Sequence, residues 1–332
     1  MRTLLVHVHQ PGVVLWNLPE AIVARWRERF AARGVRVIAA PHDVAFEDGL
    51  AEAEILVGHG VNAKNFASAK RLAWIQAASA GVGHLLFPAL VESPVVLTNA
   101  RGVHADPMAE HVLGMMLAMV RKMHRARDFQ NRGEWGQNAL WIEEPWLDEV
   151  SGKTLGVVGL GAIGQALAWR ARGVGLRVIG LRRRPGGDLP PGVEEARGAN
   201  HLPWLLAQSD FVANCLPSTP RTERLFDAAA FEAVKRGAFF FNVGRGSTVD
   251  EDALLAAIES GRLAGAGLDV TDTEPLPDGH PFYRAPNVLL TFHVSGASRR
   301  FWDRAALLFE DNIERYLDGR PLRNLVDKRE GY

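Results

Sequence analysis

Three glycines in the run from Gly156 to Gly164 fall into the spacing Gly-x-Gly-x-x-Gly, at Gly159, Gly161 and Gly164. The apolar run before them, Leu155, Val157 and Val158, has the character of a buried parallel strand. The run after them, Gln165 to Val174, carries Leu167, Ala168 and Ala171 on one helical face. In that setting the glycines receive a pyrophosphate. Gly159 permits a tight turn, Gly161 lets the backbone approach the anion, and Gly164 lets the helix pack close to the strand, with Ala162 and Ile163 in the first turn that faces the phosphates. The next strand, Arg177 to Leu181, runs into Arg182-Arg183-Arg184, and the first acid beyond it is Asp188, past Pro185-Gly186-Gly187. An acid at the end of this strand would bind the ribose hydroxyls of NAD; guanidinium groups in its place suit a 2′-phosphate. The expected cofactor is therefore NADP(H), contacted by Arg182 first and Arg183 next. NAD(H) remains possible if the arginines form only a solvated basic loop. Ser151-Gly152-Lys153-Thr154 ends like a nucleotide P-loop, but Leu147 stands where its first glycine belongs and it precedes a strand, so it reads as a turn.

These groups need a scaffold, and the chain alternates strands with helices as a parallel sheet requires. The first third predicts strands at Thr3–Val8, Val35–Ala39, Glu54–Gly58, Ala73–Ala77 and Val95–Thr98, with helices at Pro19–Ala32 and at Asn62–Ala69, capped by Asn62. No glycine fingerprint follows its first strand. His7 and His9 share a strand face, but no third metal ligand accompanies them. A long helix, Asp106–Arg127, with Asp106 as cap and Pro107 at its first position, is apolar on more than one side and must be covered on several. The segment Gly133–Trp146, with three tryptophans, reads as a loop or as an arm toward another subunit. After the glycine motif come strands at Arg177–Leu181, Phe211–Cys215, Ala238–Val243, Leu263–Leu268 and Val288–Thr291. Helices at Leu202–Gln208, Ala228–Lys235 and Glu251–Ser260 separate most of them, making six strands with Leu155–Val158. A last helix, Ser298–Leu317, returns the chain to the first domain.

Composition excludes several partners. Lys+Arg 38 equals Asp+Glu 38 in 332 residues, so there is no overall basic excess for nucleic acid or an anionic membrane. No stretch has the length and apolarity of a membrane span. One cysteine, Cys215, permits no internal disulfide, which points to a reducing cytoplasm. It reads as a packing residue, not a nucleophile.

Further motifs follow or end the expected strands: Asn242-Val243-Gly244-Arg245-Gly246, Gly267-Leu268-Asp269-Val270, Thr273-Glu274-Pro275-Leu276 and Thr291-Phe292-His293-Val294. With them stand Ser79-Ala80-Gly81-Val82-Gly83, Asn99 to Val103 and Ala109-Glu110-His111. In this order they resemble the D-isomer-specific 2-hydroxyacid dehydrogenase family, which includes glyoxylate/hydroxypyruvate reductases, over nearly the whole chain. The resemblance implies an α/β fold of two doubly wound parallel-sheet domains. A Rossmann dinucleotide-binding domain, 103–298, is inserted into a flavodoxin-like substrate domain, 1–102 and 299–332, with the active site in the cleft between them.

It also implies Arg245, Glu274 and His293 as the catalytic set for reducing a 2-oxo acid to a D-2-hydroxy acid. Arg245 grips carboxylate and carbonyl, His293 donates the proton, and Glu274 orients the imidazole. Gly81 and Val82 offer backbone amides to the substrate carboxylate. Leu216, Pro217 and Val243 line the cofactor site, and Asp269 holds the nicotinamide carboxamide. The chain departs from the family pattern at Phe292, where proline usually precedes the histidine, and at Gly83-His84, where an acidic residue often follows the substrate loop. A cytoplasmic homodimer acting on small 2-oxo or 2-hydroxy acids is expected, with glyoxylate or hydroxypyruvate preferred. The alternatives are a dehydrogenase for another small substrate such as phosphite, and a dinucleotide-sensing, corepressor-like binding protein.

Overall fold

The computed structural model describes residues 1–184 and 186–331. The chain forms two compact units, Met1–His104 with Ala297–Tyr332, and Ala105–Gly296.

In the first unit, β1 (Arg2–His7), β2 (Val35–Ala39), β3 (Ile55–Gly58), β4 (Trp74–Gln76) and β5 (Val96–Thr98) form a parallel sheet of order β2-β1-β3-β4-β5. That is the flavodoxin-like order. Two helices supply much of one core. α1 (Glu20–Ala31) buries Ile22, Val23, Trp26 and Phe30, and α11 (Phe301–Leu317) buries Phe301, Trp302, Ala305, Ala306, Phe309 and Ile313. Both sets follow helical spacing, so each helix turns one apolar stripe inward. Where the stripes meet, buried Glu310 accepts from Trp26 Nε1 at 2.7 Å and pairs with Arg25 and Arg29 at 2.6 and 2.7 Å, so its charge is compensated. Asn312 reaches Gln76 Oε1 at 2.8 Å, and Val326 N–H donates to Leu97 O, so the C-terminal segment is tied to the sheet from helix to tail.

Two short helices of this unit, α2 (Asp43–Leu50) and α3 (Pro88–Glu92), lack a sequence signal long enough to show. The expected helix Asn62–Ala69 is only a 3-10 turn at Phe66–Ser68. The Asn62 carboxamide oxygen accepts from the amide of Lys64, and the Asn62 amide donates to Asn65 Oδ1, so local side-chain bonds take the groups a helix needs.

The second unit holds β6 (Thr154–Val158), β7 (Arg177–Arg182), β8 (Glu195–Gly198), β9 (Phe211–Asn214), β10 (Ala238–Asn242), β11 (Leu263–Leu268) and β12 (Val288–Leu290). They form a parallel sheet of order β12-β11-β10-β9-β6-β7-β8. This is the dinucleotide-binding order with one further edge strand. The sheet has seven strands, not the six expected, because β8 carries the polar sequence Glu-Ala-Arg-Gly at an edge and shows no apolar run. Helices α7 (Ala162–Gly173), α8 (Leu202–Gln208), α9 (Ala228–Glu232) and α10 (Glu251–Glu259) connect its strands.

The expected long helix Asp106–Arg127 is two helices, α4 (Ala105–Val120) and α5 (Met123–Asn131), broken at Lys122, which takes φ +52°. The break lets the buried Lys122 amine donate to the carbonyls of Leu140 and Glu143, satisfying a charge that a straight helix would leave stranded. Asp106 is no cap; it lies inside the first turn and accepts from Arg170 at 2.8 Å. The apolar faces of α4 are largely covered within this unit, by Leu167, Ala168 and Ala171 of α7 and by β11. A side chain at Gly265 or Gly267 would stand 2.8 Å from Met119 Cε or 3.1 Å from Met115 Sδ, so these glycines make the room. Gly133–Trp146 is likewise not all loop, since α6 (Gln137–Ile142) lies in it. The last expected helix begins at Phe301, three residues after Ser298.

Candidate active site

The glycine turn is built tightly. Gly159 has φ +103°, open to glycine and costly for other residues, and a Cβ there would meet Leu216 Cδ2 at 3.1 Å. A Cβ on Gly164 would lie 2.2 Å from Gly159 O, so helix and strand touch through backbone. Around Gly161 nothing stands within 4 Å of the Cβ position among the described residues, and α7 starts directly after it with the first-turn amides of Ala162 and Ile163 making no hydrogen bond to a described residue outside the helix. This open face above a helix N-terminus fits a dinucleotide pyrophosphate.

At the end of β7, the Arg182 guanidinium donates to Gly187 O and Asp188 O at 3.0 and 3.1 Å, while its buried Nε has no partner among the described residues. An orphaned guanidinium N–H at this place suits a phosphate oxygen. Arg183 and Arg184 are exposed on the same loop. Leu216 lies half-buried beside Gly159, Pro217 is exposed, and Val243 is buried under the strand ends. Cys215 beside them has its thiol pushed up to about 12 by burial, which removes it as a nucleophile near neutral pH.

Three loops at the carboxyl ends of β10, β11 and β12 carry the expected catalytic side chains. Buried Asn214 donates to Asn242 Oδ1 at 3.0 Å and to Thr248 Oγ1 at 2.7 Å, and Thr248 donates to Arg245 O at 2.6 Å. This network fixes the loop of Arg245. Burial lowers the Arg245 guanidinium from its ordinary value, the Glu274 carboxylate opposes the effect, and the group stays charged at neutral pH. A Cβ on Gly246 would overlap the Thr271 backbone at 1.9 Å, so the Arg245 loop lies directly on the loop that leads to Glu274. There Glu274 Oε1 accepts from Thr271 N at 3.1 Å, and Oε2 lies 2.6 Å from His293 Nδ1. One carboxylate oxygen is fixed by backbone and the other fixes the imidazole.

His293 sits on a turn in which both Phe292 and His293 are left-handed, with φ +55° and +57°. Such angles cost energy in side-chain-bearing residues and persist where surroundings enforce them. Asp269 enforces them here. Its buried carboxylate accepts from Val294 N at 3.0 Å, Ser295 N at 3.1 Å and Thr291 Oγ1 at 2.7 Å, while Asp269 O accepts from His293 N. Asp269 Oδ1 takes three donors, whereas Oδ2 accepts from Ser295 N alone among the described residues. His111 Nε2 lies 2.8 Å from Thr291 Oγ1, which places α4 behind the same turn. His111 and Thr291 have no assigned role in the sequence reading, and since 180 residues separate them no spacing signals the contact.

In the first unit, the loop after β4 is tied down by Asn99 Nδ2 donating to Ala80 O at 2.8 Å and Ala100 N donating to Ser79 O at 2.9 Å. The amides of Gly81 and Val82 make no hydrogen bond to a described residue, which leaves two donors for an anionic group. His7, by contrast, is spent: its Nδ1 lies 2.8 Å from Ala40 O and its ring packs on Phe46.

Against known proteins, the family described as D-isomer specific 2-hydroxyacid dehydrogenase, NAD binding domain, matches residues 113–295. Glyoxylate/hydroxypyruvate reductase B of Klebsiella pneumoniae (strain 342) is 32% identical over 325 residues, 96% of this chain and 98% of that one. The chain belongs to the D-isomer specific 2-hydroxyacid dehydrogenase family. Membership makes it an NAD(P)-dependent oxidoreductase. Among solved structures of this family, the protein from Xanthobacter autotrophicus Py2 in complex with NADPH and MES matches with TM-score 0.80 and 30% identity over 100% of this chain and 99% of that one. The NADPH-dependent glyoxylate/hydroxypyruvate reductase of Sinorhizobium meliloti, in complex with NADP and sulfate, matches with TM-score 0.79 and 29% identity over 100% of both chains. For a 2-hydroxyacid dehydrogenase, the left-handed Phe292 is a backbone state closed to the family's usual proline, whose φ is fixed near −65°.

Proposed function

We propose that the chain is an NADPH-preferring reductase of small 2-oxo acids, of the glyoxylate/hydroxypyruvate type, forming D-2-hydroxy acids. The observation that carries this is the 2.6 Å pair between His293 Nδ1 and Glu274 Oε2, with the loop of the charged, partly buried Arg245 lying directly on the loop that leads to Glu274. With Nδ1 held by the carboxylate, Nε2 is the nitrogen left to donate a proton to the carbonyl oxygen. Arg245 holds the substrate carboxylate and polarises the carbonyl, and the amides of Gly81 and Val82 take carboxylate oxygens. When bound, the reduced nicotinamide supplies the hydride. The Arg182 Nε–H and the arginines after it, with no acid at the end of β7, support the 2′-phosphorylated cofactor, as do the NADP-bound relatives. Asp269 acts from behind by holding the His293 turn.

The test is a substrate panel under both cofactors, followed as loss of reduced-nicotinamide absorbance. The parent should reduce glyoxylate and hydroxypyruvate with a higher kcat/KM under NADPH than NADH, and His293→Ala should lose about 10³-fold in kcat while still binding NADPH. Near-parental reduction by that variant removes His293 from the chemistry, and a preference for NADH refutes the cofactor assignment.

A cytoplasmic homodimer belongs to the same reading. Trp135, Trp141, Ile142 and Trp146 are all exposed along the arm around α6, and such a concentration of large apolar side chains calls for a cover. A second copy of this chain is that cover, so sedimentation at micromolar concentration should give a dimer. A stable monomer would count against it.

A further inference from the structure

We propose that His59 and His84 read the substituent on C3 of the substrate and select 2-oxo acids that carry a hydroxyl there. This rests on the reading above of the Gly81–Val82 loop as a 2-oxo acid site.

The pair arises from the topology of the first sheet. β1 and β3 are parallel neighbours with His7 opposite Gly58, and β4 follows in register beside β3. The residue after β3 and the loop after β4 therefore emerge at one carboxyl edge, where open α/β sheets bind ligands. His59 is the first, and its amide donates to His7 O at 3.0 Å. His84 belongs to the 3-10 turn Gly83–Leu85, directly after Gly81 and Val82. Their rings lie 5.5 Å apart, centroid to centroid, tilted by 57°. Gly58 and Gly60, at φ +127° and +102°, bring the backbone on either side of His59 so close that a Cβ would meet His7 O at 1.9 Å or the Phe46 ring at 2.9 Å.

The chemistry follows from what each ring nitrogen does. Unlike His7, neither His59 nor His84 makes a ring hydrogen bond to a described residue. Burial, with the charges of His84 and His7 adding to it, holds His59 down at about 4, and burial also lowers His84. Both are neutral at pH 7, so each offers one donor and one acceptor. A hydroxyl is likewise donor and acceptor and matches such a pair. A second carboxylate accepts only and calls for a cation, while an alkyl group would cover the nitrogens without pairing them. Gly83 adds no charge beside them.

The experiment measures kcat/KM under NADPH for hydroxypyruvate, pyruvate, glyoxylate and oxaloacetate in the parent and in His59→Leu, His84→Leu and His59→Gln. The parent should favour hydroxypyruvate over pyruvate by at least about ten-fold, a usual discrimination for one polar contact at a partly exposed site. Each leucine variant should lower that ratio about ten-fold and lower hydroxypyruvate relative to glyoxylate as well, whereas His59→Gln, which keeps a donor and an acceptor, should retain most of it. Unchanged ratios in the leucine variants, an equal loss on all four substrates, or a parental preference for oxaloacetate would each overturn the assignment while leaving the reductase reading intact. A parent that reduces none of the four overturns the reductase reading and this inference with it.

Discussion

The two units solve the same topological problem with opposite first turns. In the second, β6 reaches α7 through Gly159, Leu160 and Gly161, and the helix begins where an anion can meet its amides. In the first, β1 ends at His7 and α1 begins only at Glu20, behind Pro19; Leu18 N donating to Val8 O brings the helix start back beside the strand end, but the loop between them lacks the Gly-x-Gly-x-x-Gly spacing. What remains at that edge is side chain and loop: the imidazoles of His59 and His84 and the tethered amides of Gly81 and Val82. A parallel sheet thus fixes where a ligand goes, and the glycine spacing of the first turn helps decide whether backbone or side chain receives it.

The sharpest way to break this contrast is to fill the glycine turn. Gly161→Ala adds a methyl into open space at φ −78°, so the fold should keep its Tm, yet the methyl stands where the pyrophosphate approaches. NADPH affinity, read by fluorescence titration, should fall by about a hundred-fold, or roughly 3 kcal/mol. Gly164→Ala, whose Cβ would sit 2.2 Å from Gly159 O, should lower both affinity and Tm. Parental NADPH binding by Gly161→Ala would mean that the open face is not the phosphate site.

A smaller effect sharpens the comparison from the first unit. Folded His59 takes up its proton only near pH 4, the unfolded residue near 6.5, so between those values the unfolded chain binds more protons and stability falls as pH falls. At pH 5 the loss is about 2 kcal/mol relative to neutral pH. His59→Leu should remove that part of the slope in a series of unfolding midpoints from pH 7 to 4.5. Parallel curves for parent and variant would show that His59 titrates normally.

Legibility from sequence followed the physics of each segment. Val35–Ala39 alternates buried Val35 and Val37 around exposed Arg36 just after Gly34, and Leu263–Leu268 is a continuous run of apolar residues and glycine; both lie where the sequence puts them. β8 was hidden because an edge strand needs no apolar run, and α2 and α3 because five to eight residues show too little period. The break at Lys122 depends on carbonyls about twenty residues downstream, a tertiary partner that local propensity does not contain. At the site, residue types were visible through ordered motifs, whereas the hold of Asp269 on the His293 turn, and of His111 on Thr291, exists only in three dimensions. Arg182 likewise reads in sequence as the first phosphate contact, yet two of its donors close its own loop.

The left-handed pair Phe292–His293 has a bearing on how this lineage can change. Proline cannot enter position 292 while φ there is +55°; it would demand a rotation of about 120°, and with it new partners for the Val294 and Ser295 amides now held by Asp269. A proline version and a phenylalanine version of this turn therefore need different backbones. Side chain and backbone would have to change together there, because the carboxylate of Asp269 and the proline ring set opposing demands on the same turn.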